Sequence, residues 1–179
     1  MSINLLEMKN VVIEAEIDGE WRPIVNGLSL ALEKGEIVGL IGESGAGKST
    51  LGLAALGYTK PGCRIVSGSI KFDGLELTTL PEKQLRNLRG NRVSYVAQSA
   101  AAAFNPAHRL LEQFLESPVQ HGKMNRTEAK AKGRSLYRQL DLPDPDSIGE
   151  RFPHQVSGGQ LQRAMTAMAM GCEPEIVVF

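Results

Sequence analysis

The run Glu36-Ile37-Val38-Gly39-Leu40-Ile41, leading straight into Gly42-Glu43-Ser44-Gly45-Ala46-Gly47-Lys48-Ser49-Thr50, is where the chain declares its fold class. An apolar run without polar alternation reads as a parallel strand buried on both faces, and Leu51-Gly52-Leu53-Ala54-Ala55-Leu56 then reads as an apolar helix. Between them, the spacing of Gly42 from Gly47-Lys48-Ser49 is the Walker A pattern, in which bare backbone N–H groups point inward around anionic phosphates. Gly42, Gly45 and Gly47 allow backbone angles and a close approach that a Cβ would block. The helix opening near Lys48 aims its partially positive end at the same place. The Lys48 ammonium can reach the β- and γ-phosphates of a nucleotide, and the Ser49 hydroxyl suits a hard Mg²⁺ ion that keeps most of its waters. Gly42, Glu43, Ser44, Gly45, Ala46, Gly47, Lys48, Ser49 and Thr50 thus form the candidate nucleotide-binding loop. At average composition such a pattern arises by chance on the order of once in a hundred chains, and its strand and helix context lowers that further.

The rest of the composition is that of an ordinary globular chain. With 179 residues, 42% of them hydrophobic and 22% charged, the chain is large enough for one good core, or one core with a small attached subdomain. Its 20 basic and 20 acidic residues cancel, so no global field recruits nucleic acid or an anionic membrane, and any attraction for phosphate must be local. Cys63 and Cys172 form no CxxC pair, which fits a reducing compartment and packed thiols better than a disulfide framework. The N-terminal residues MSINLLEMKN place no basic stretch before an apolar one, and no apolar run approaches the roughly 18 residues that span a bilayer. A membrane role would need a partner protein.

Ahead of the loop, the β-branched and apolar stretches Leu5 to Ile17 and Ile24 to Leu32 flank the turn Asp18-Gly19-Glu20 and read as strands of an antiparallel layer. Behind it, Pro61-Gly62 stops the helix. A strand is expected near Gly68 to Phe72, a turn at Asp73-Gly74, a short helix opening at Pro81 and a strand at Arg92 to Ala97. From Leu110 to about Leu142 the apolar positions fall at three- and four-residue spacings, which reads as a helical insertion ending in the Pro-rich loop at Pro143 to Asp146. The fold class expected is therefore α/β: a P-loop NTPase core with an N-terminal antiparallel β layer and a helical insertion. The boundaries expected are 1–98 for the nucleotide-binding core, 99–156 for the helical subdomain and 157–179 for a second motif with its helix and a last strand.

That second motif is Val156-Ser157-Gly158-Gly159-Gln160, followed by a helix with Met165, Met168, Ala169 and Cys172 on one face. Small polar residues before a helix suit an anion; equally, Ser157 can cap the helix while the glycines shape the turn. With the Walker A loop, VSGGQLQR resembles the signature motif of ATP-binding cassette (ABC) proteins, and Tyr95-Val96-Ala97-Gln98 resembles their Q-loop. GESGAGKST, Ala103-Phe104-Asn105-Pro106, Phe152-Pro153-His154 and QRAMTAMAM are most similar to the ATP-binding subunits of bacterial oligopeptide and dipeptide importers. The resemblance implies an ATPase that couples ATP binding and hydrolysis to solute uptake, with peptide the expected solute, and ATP and Mg²⁺ as cofactors. It further implies that Lys48 and Gln98 serve catalysis and that Ser49 and Gln98 attend the metal. Ser157, Gly158, Gly159 and Gln160 would contact ATP held by a second cassette in a head-to-tail dimer. The partners implied are that second ATPase subunit, transmembrane permease subunits and, indirectly, a solute-binding protein, with no nucleic acid. The location implied is the cytoplasmic face of the inner membrane.

Two departures qualify the resemblance. Glu175-Ile176-Val177-Val178-Phe179 resembles the Walker B strand, yet the Asp and Glu expected after it are not among the 179 residues, so this chain reads as a C-terminally incomplete cassette that binds ATP and hydrolyses it poorly. The position expected to carry an adenine-stacking aromatic is Ala15, and Trp21 is the nearest candidate. The competing readings are a non-transport ABC ATPase of DNA repair or translation, a small P-loop kinase, and a non-catalytic nucleotide-binding fragment. The neutral charge and Asn105-Pro106 favour transport, and the SGGQ cluster argues against a kinase.

Overall fold

The computed structural model describes residues 4–43, 45 and 47–179, which fall into two compact units, Met1–Arg86 and Asn87–Phe179. In the first unit, β1 (Leu6–Ile17), β2 (Glu20–Leu32), β3 (Cys63–Phe72) and β4 (Leu75–Glu76) form an antiparallel sheet in the order β2-β1-β3-β4. The period-two pattern sets its faces: Leu6 and Met8 are buried while Lys9 is exposed. A register shift at Asn10, which has a positive φ of 49°, then lets Val11 and Ile13 turn inward as well. At the same level Gly68, at φ 94°, leaves room for the bulge, since a Cβ there would lie 2.6 Å from the Asn10 carbonyl oxygen. Met8, Val11, Ile13, Ile70 and Phe72 are essentially fully buried, each stabilising by about 1.5–3 kcal/mol. The antiparallel layer and the turn at Asp73-Gly74 match the sequence expectation, although β3 begins earlier, at Cys63.

The expected buried strand at Glu36–Ile41 is not formed. These residues are in no ladder among the described residues, and Ile37 and Ile41 are 97% and 99% exposed. With no strand on either edge among the described residues, the run has no ladder to share its backbone hydrogen bonds, and Ile37 and Ile41 stay in solvent. The loop helix, α1 (Lys48–Ala54), is shorter than expected and ends in turns through Gly57. Helix α2 (Glu82–Leu88) follows Pro81.

In the second unit, β5 (Val93–Tyr95) and β6 (Ile176–Val178) pair in parallel. Arg92 grips Glu175 just before both strands, Nε to Oε1 at 2.5 Å and Nη2 to Oε2 at 3.0 Å, a two-pronged contact that fixes their register. The expected helical region divides into α3 (Ala100–Ala103), α4 (Leu110–Gln120) and α5 (Arg126–Gln139). A capping box starts α5: the Asn125 side chain accepts from the Thr127 and Glu128 N–H groups, and the Glu128 carboxylate accepts from the Asn125 N–H at 2.9 Å. These helices and α6 (Gly158–Met170) close on one core containing Val96, Phe104, Leu111, Phe114, Leu136, Tyr137, Leu161 and Met165. Phe114 meets Tyr137 edge to face at 6.2 Å, and burial pushes the Tyr137 phenol well above its usual range. Because α6 shares this core with α3 to α5, residues 158–170 pack with the segment 99–156.

Candidate nucleotide-binding site

Three sequence clusters carry the candidate residues, one in the first unit and two in the second. In the first, Gly47 of the Gly42–Thr50 stretch passes directly against β2. Gly47 sits at φ 77° as the N-cap of α1, and a Cβ there would come within 2.7 Å of the Ile24 carbonyl oxygen and 2.9 Å of Val25 Cγ2. Gly45 also takes a left-handed angle, φ 87°, with open space where a Cβ would go. Ser44 and Ala46 lie outside the described residues. Lys48 folds back over its own loop: Nζ donates to the Gly42 carbonyl at 2.7 Å and to the Glu43 carbonyl at 2.6 Å. The ammonium is therefore held at the mouth of the loop by two neutral acceptors, which a phosphate oxygen would outcompete by its charge. Ser49 is exposed and Thr50 is buried. This donor set fits a nucleotide triphosphate with a hard divalent cation: one mobile cation, one free hydroxyl, and glycines whose backbone can come close.

Trp21 takes no part in that loop. In the β1–β2 hairpin it pairs with Glu16 and shares a sheet face with Glu14 and Arg64, whereas Ile13, Ala15 and Val25 alternate to the other face, the one that meets Gly47. The Arg64 guanidinium lies 4.0 Å from the Trp21 ring centroid, and its Nε and Nη2 both donate to Glu14 Oε2, at 3.0 and 2.8 Å. One face of the ring is thus covered by a cation–π contact.

In the second unit, Gln98 is exposed just beyond β5. The ladder continues one residue past the strand, through Val96 N–H to the Val178 carbonyl at 2.8 Å. The other cluster, Ser157 to Gln160, opens α6 with reciprocal caps. The Gln160 N–H donates to Ser157 Oγ at 3.3 Å, and the Ser157 N–H donates to Gln160 Oε1 at 2.9 Å. The capping reading of Ser157 is therefore realised, with Gln160 Oε1 as the reciprocal acceptor. The Ser157 hydroxyl keeps its own proton to donate, and Gly158 and Gly159 are exposed with nothing within 4 Å of a would-be Cβ. Arg163 braces this turn, with Nη1 donating to the carbonyls of Leu140 and Asp141 at the end of α5. Gln162 and Arg163 were visible within VSGGQLQR, but their partners lie far off in sequence and no local spacing announces them. His154 stacks on Phe152 at 5.7 Å, with Arg109 beyond the phenyl ring at 5.8 Å.

Comparison with known proteins shows the family and the fold. A probable peptide ABC transporter ATP-binding protein of Sinorhizobium fredii is 36% identical over 155 residues, covering 86% of this chain and 46% of that protein. The oligopeptide transport ATP-binding protein OppD of Lactococcus lactis subsp. cremoris is 32% identical over 177 residues, covering 99% and 52%. The dipeptide transport ATP-binding protein DppD of Escherichia coli is 35% identical over 154 residues, covering 86% and 47%. The chain spans about half the length of the curated relatives it matches. Among solved structures, a dimeric ATP-binding cassette in a post-hydrolysis state, bound to ADP and phosphate, superposes with a TM-score of 0.84 at 23% identity, covering 96% of this chain and 72% of that one. That likeness confirms the α/β cassette fold. The family model described as ABC transporter matches residues 25–179, and with the glycine loop and the capped SGGQ helix both in place, the chain belongs to the ABC transporter family.

Proposed function

We propose that this chain is the nucleotide-binding part of the ATP-binding subunit of an importer, with peptides as the solute class. The observation that carries this reading is the identity of 31–37% to proteins named for peptide, oligopeptide or dipeptide transport, over 86–99% of the chain. In this reading the Lys48 ammonium leaves the Gly42 and Glu43 carbonyls for the β- and γ-phosphates of ATP, and the loop N–H groups surround the same oxygens. Ser49 and Gln98 are the residues assigned to Mg²⁺, which when bound neutralises charge on the phosphate oxygens. Ser157, Gly158 and Gly159 offer a hydroxyl and helix N-terminal N–H groups to ATP bound by a second cassette. Gln160 holds the cap through Oε1 and offers its Nε2 donors to the same ATP.

The subunit would work as a head-to-tail pair at the cytoplasmic face of the inner membrane, beneath permease subunits. No helix among the described residues is long and apolar enough to cross a membrane, so attachment would run through those partners. Assayed alone, these 179 residues are expected to bind Mg·ATP and turn it over slowly, since losing general-base help typically costs 10² to 10⁴ in rate. The test is isolation of the protein from its native membranes. Recovery with integral-membrane subunits supports the importer reading, and recovery with ribosomes or DNA would overturn it in favour of a non-transport cassette.

A further inference from the structure

Gln98 and the Ser157–Gln160 cluster belong to different motifs, yet the second unit joins them through Ala97, the residue before Gln98. Ala97 presents both of its backbone polar groups to α6. Its N–H donates to Met165 Sδ at 3.2 Å, and its carbonyl accepts from Gln162 Nε2 at 3.1 Å. Val96 donates its N–H to the Val178 carbonyl at 2.8 Å, continuing the ladder one residue past β5, and the Ala97 peptide groups then pair with α6 side chains. Gln162 and Met165 lie one turn apart on the helix that Ser157 caps, Met165 is buried in the core, and Thr166 Oγ1 donates to the Gln162 carbonyl at 3.1 Å. A thioether is a weak acceptor, so the amide of Gln162 supplies most of the direction and Met165 most of the packing.

We propose that Gln162 and Met165 are positioning residues for Gln98: they clamp the residue before it onto α6, so that Gln98 and the Ser157–Gln160 cluster are carried by one rigid body. The inference rests on the reading that Gln98 attends nucleotide and metal, but its mechanical part can be judged separately. In the 179-residue chain, amide hydrogen exchange is followed in Gln162→Leu, which removes the donor at similar volume, and in Gln162→Glu, which keeps the shape and replaces the donor with an acceptor. Exchange at the Ala97 N–H, whose bond to Met165 Sδ is held in place by the Gln162 contact on the same residue, should quicken by roughly tenfold, as expected for one lost hydrogen bond, while α4, α5 and the thermal midpoint stay as in the parent. Unchanged exchange at Ala97 in both variants would overturn the clamp. Should Gln162→Leu unfold the chain, Gln162→Glu and Met165→Leu supply the same readout. The functional part is a double-mutant cycle on Mg·ATP affinity with Gln98→Ala and Gln162→Leu. The clamp requires that the double variant bind no more weakly than Gln98→Ala alone, and additive losses would reject it. If Gln98→Ala binds like the parent, the assignment of Gln98 to the nucleotide fails, and exchange at the Ala97 N–H still decides the clamp.

Discussion

Lys48 illustrates how much a single side chain can reveal. Its ammonium is held by two carbonyls of the loop it serves, within reach of any anion that enters. Lys48→Ala is therefore expected to abolish Mg·ATP binding by this chain, and titration calorimetry giving the parent's affinity would refute the assignment. Gly47 is a test of the backbone instead. An alanine there must adopt a left-handed angle and place its methyl group 2.7 Å from the Ile24 carbonyl oxygen. The cost is about 2 kcal/mol or more, to be read in urea denaturation. Glu76 ties the end of β3 to its own turn, accepting from Ser69 Oγ, from the Ile70 N–H at 3.0 Å and from Thr78 Oγ1 at 2.7 Å. Partial burial raises its carboxyl pKa, but these hydrogen bonds together outweigh burial and hold it below the usual value. A depressed folded-state pKa contributes stability that is full above the unfolded value, near 4.3, and is lost as pH falls through the folded one. The gap in thermal midpoint between parent and Glu76→Gln should therefore narrow as pH drops from 7 towards 3.

Among the elements, α5 depends on its start. The residues Asn125 and Glu128 spell a capping box that local sequence reading could have used to divide the 110–142 region into two helices. Asn125→Ala should cost about 1 kcal/mol, seen as a lower denaturation midpoint with an unchanged slope. The β1–β2 hairpin makes a different point. Its strands were legible from β-branched runs around Asp18-Gly19, but which way Trp21 faces depended on a one-residue shift between Ile13 and Glu14. Since Arg64 covers one ring face and Ala15 turns the other way, Trp21→Ala should leave Mg·ATP affinity unchanged and lower stability by about 0.5–1 kcal/mol, the worth of an exposed cation–π contact. A tenfold loss of affinity would return Trp21 to the site.

Over the molecule as a whole, each unit has its own core, and the apolar run 36–41 belongs to neither. Ile37 and Ile41 are nearly fully exposed, and Val38 and Leu40 are partly so. Sequence-adjacent apolar side chains in solvent are an association hazard. Ile37→Lys with Ile41→Lys should raise the solubility of the 179-residue chain without lowering its thermal midpoint, as light scattering and calorimetry would show. The glycine turn before α1, the SGGQ cap, the antiparallel layer and the helical region could all be read in advance, because each rests on residue types and spacings within a few positions of one another. Three features could not: the missing ladder at 36–41, Arg64 lying over Trp21, and the grip of Gln162 and Met165 on Ala97. Each depends on a neighbour some forty or more residues away, or on the lack of one, and strand partners, ring faces and backbone acceptors are assigned only when the chain folds back on itself.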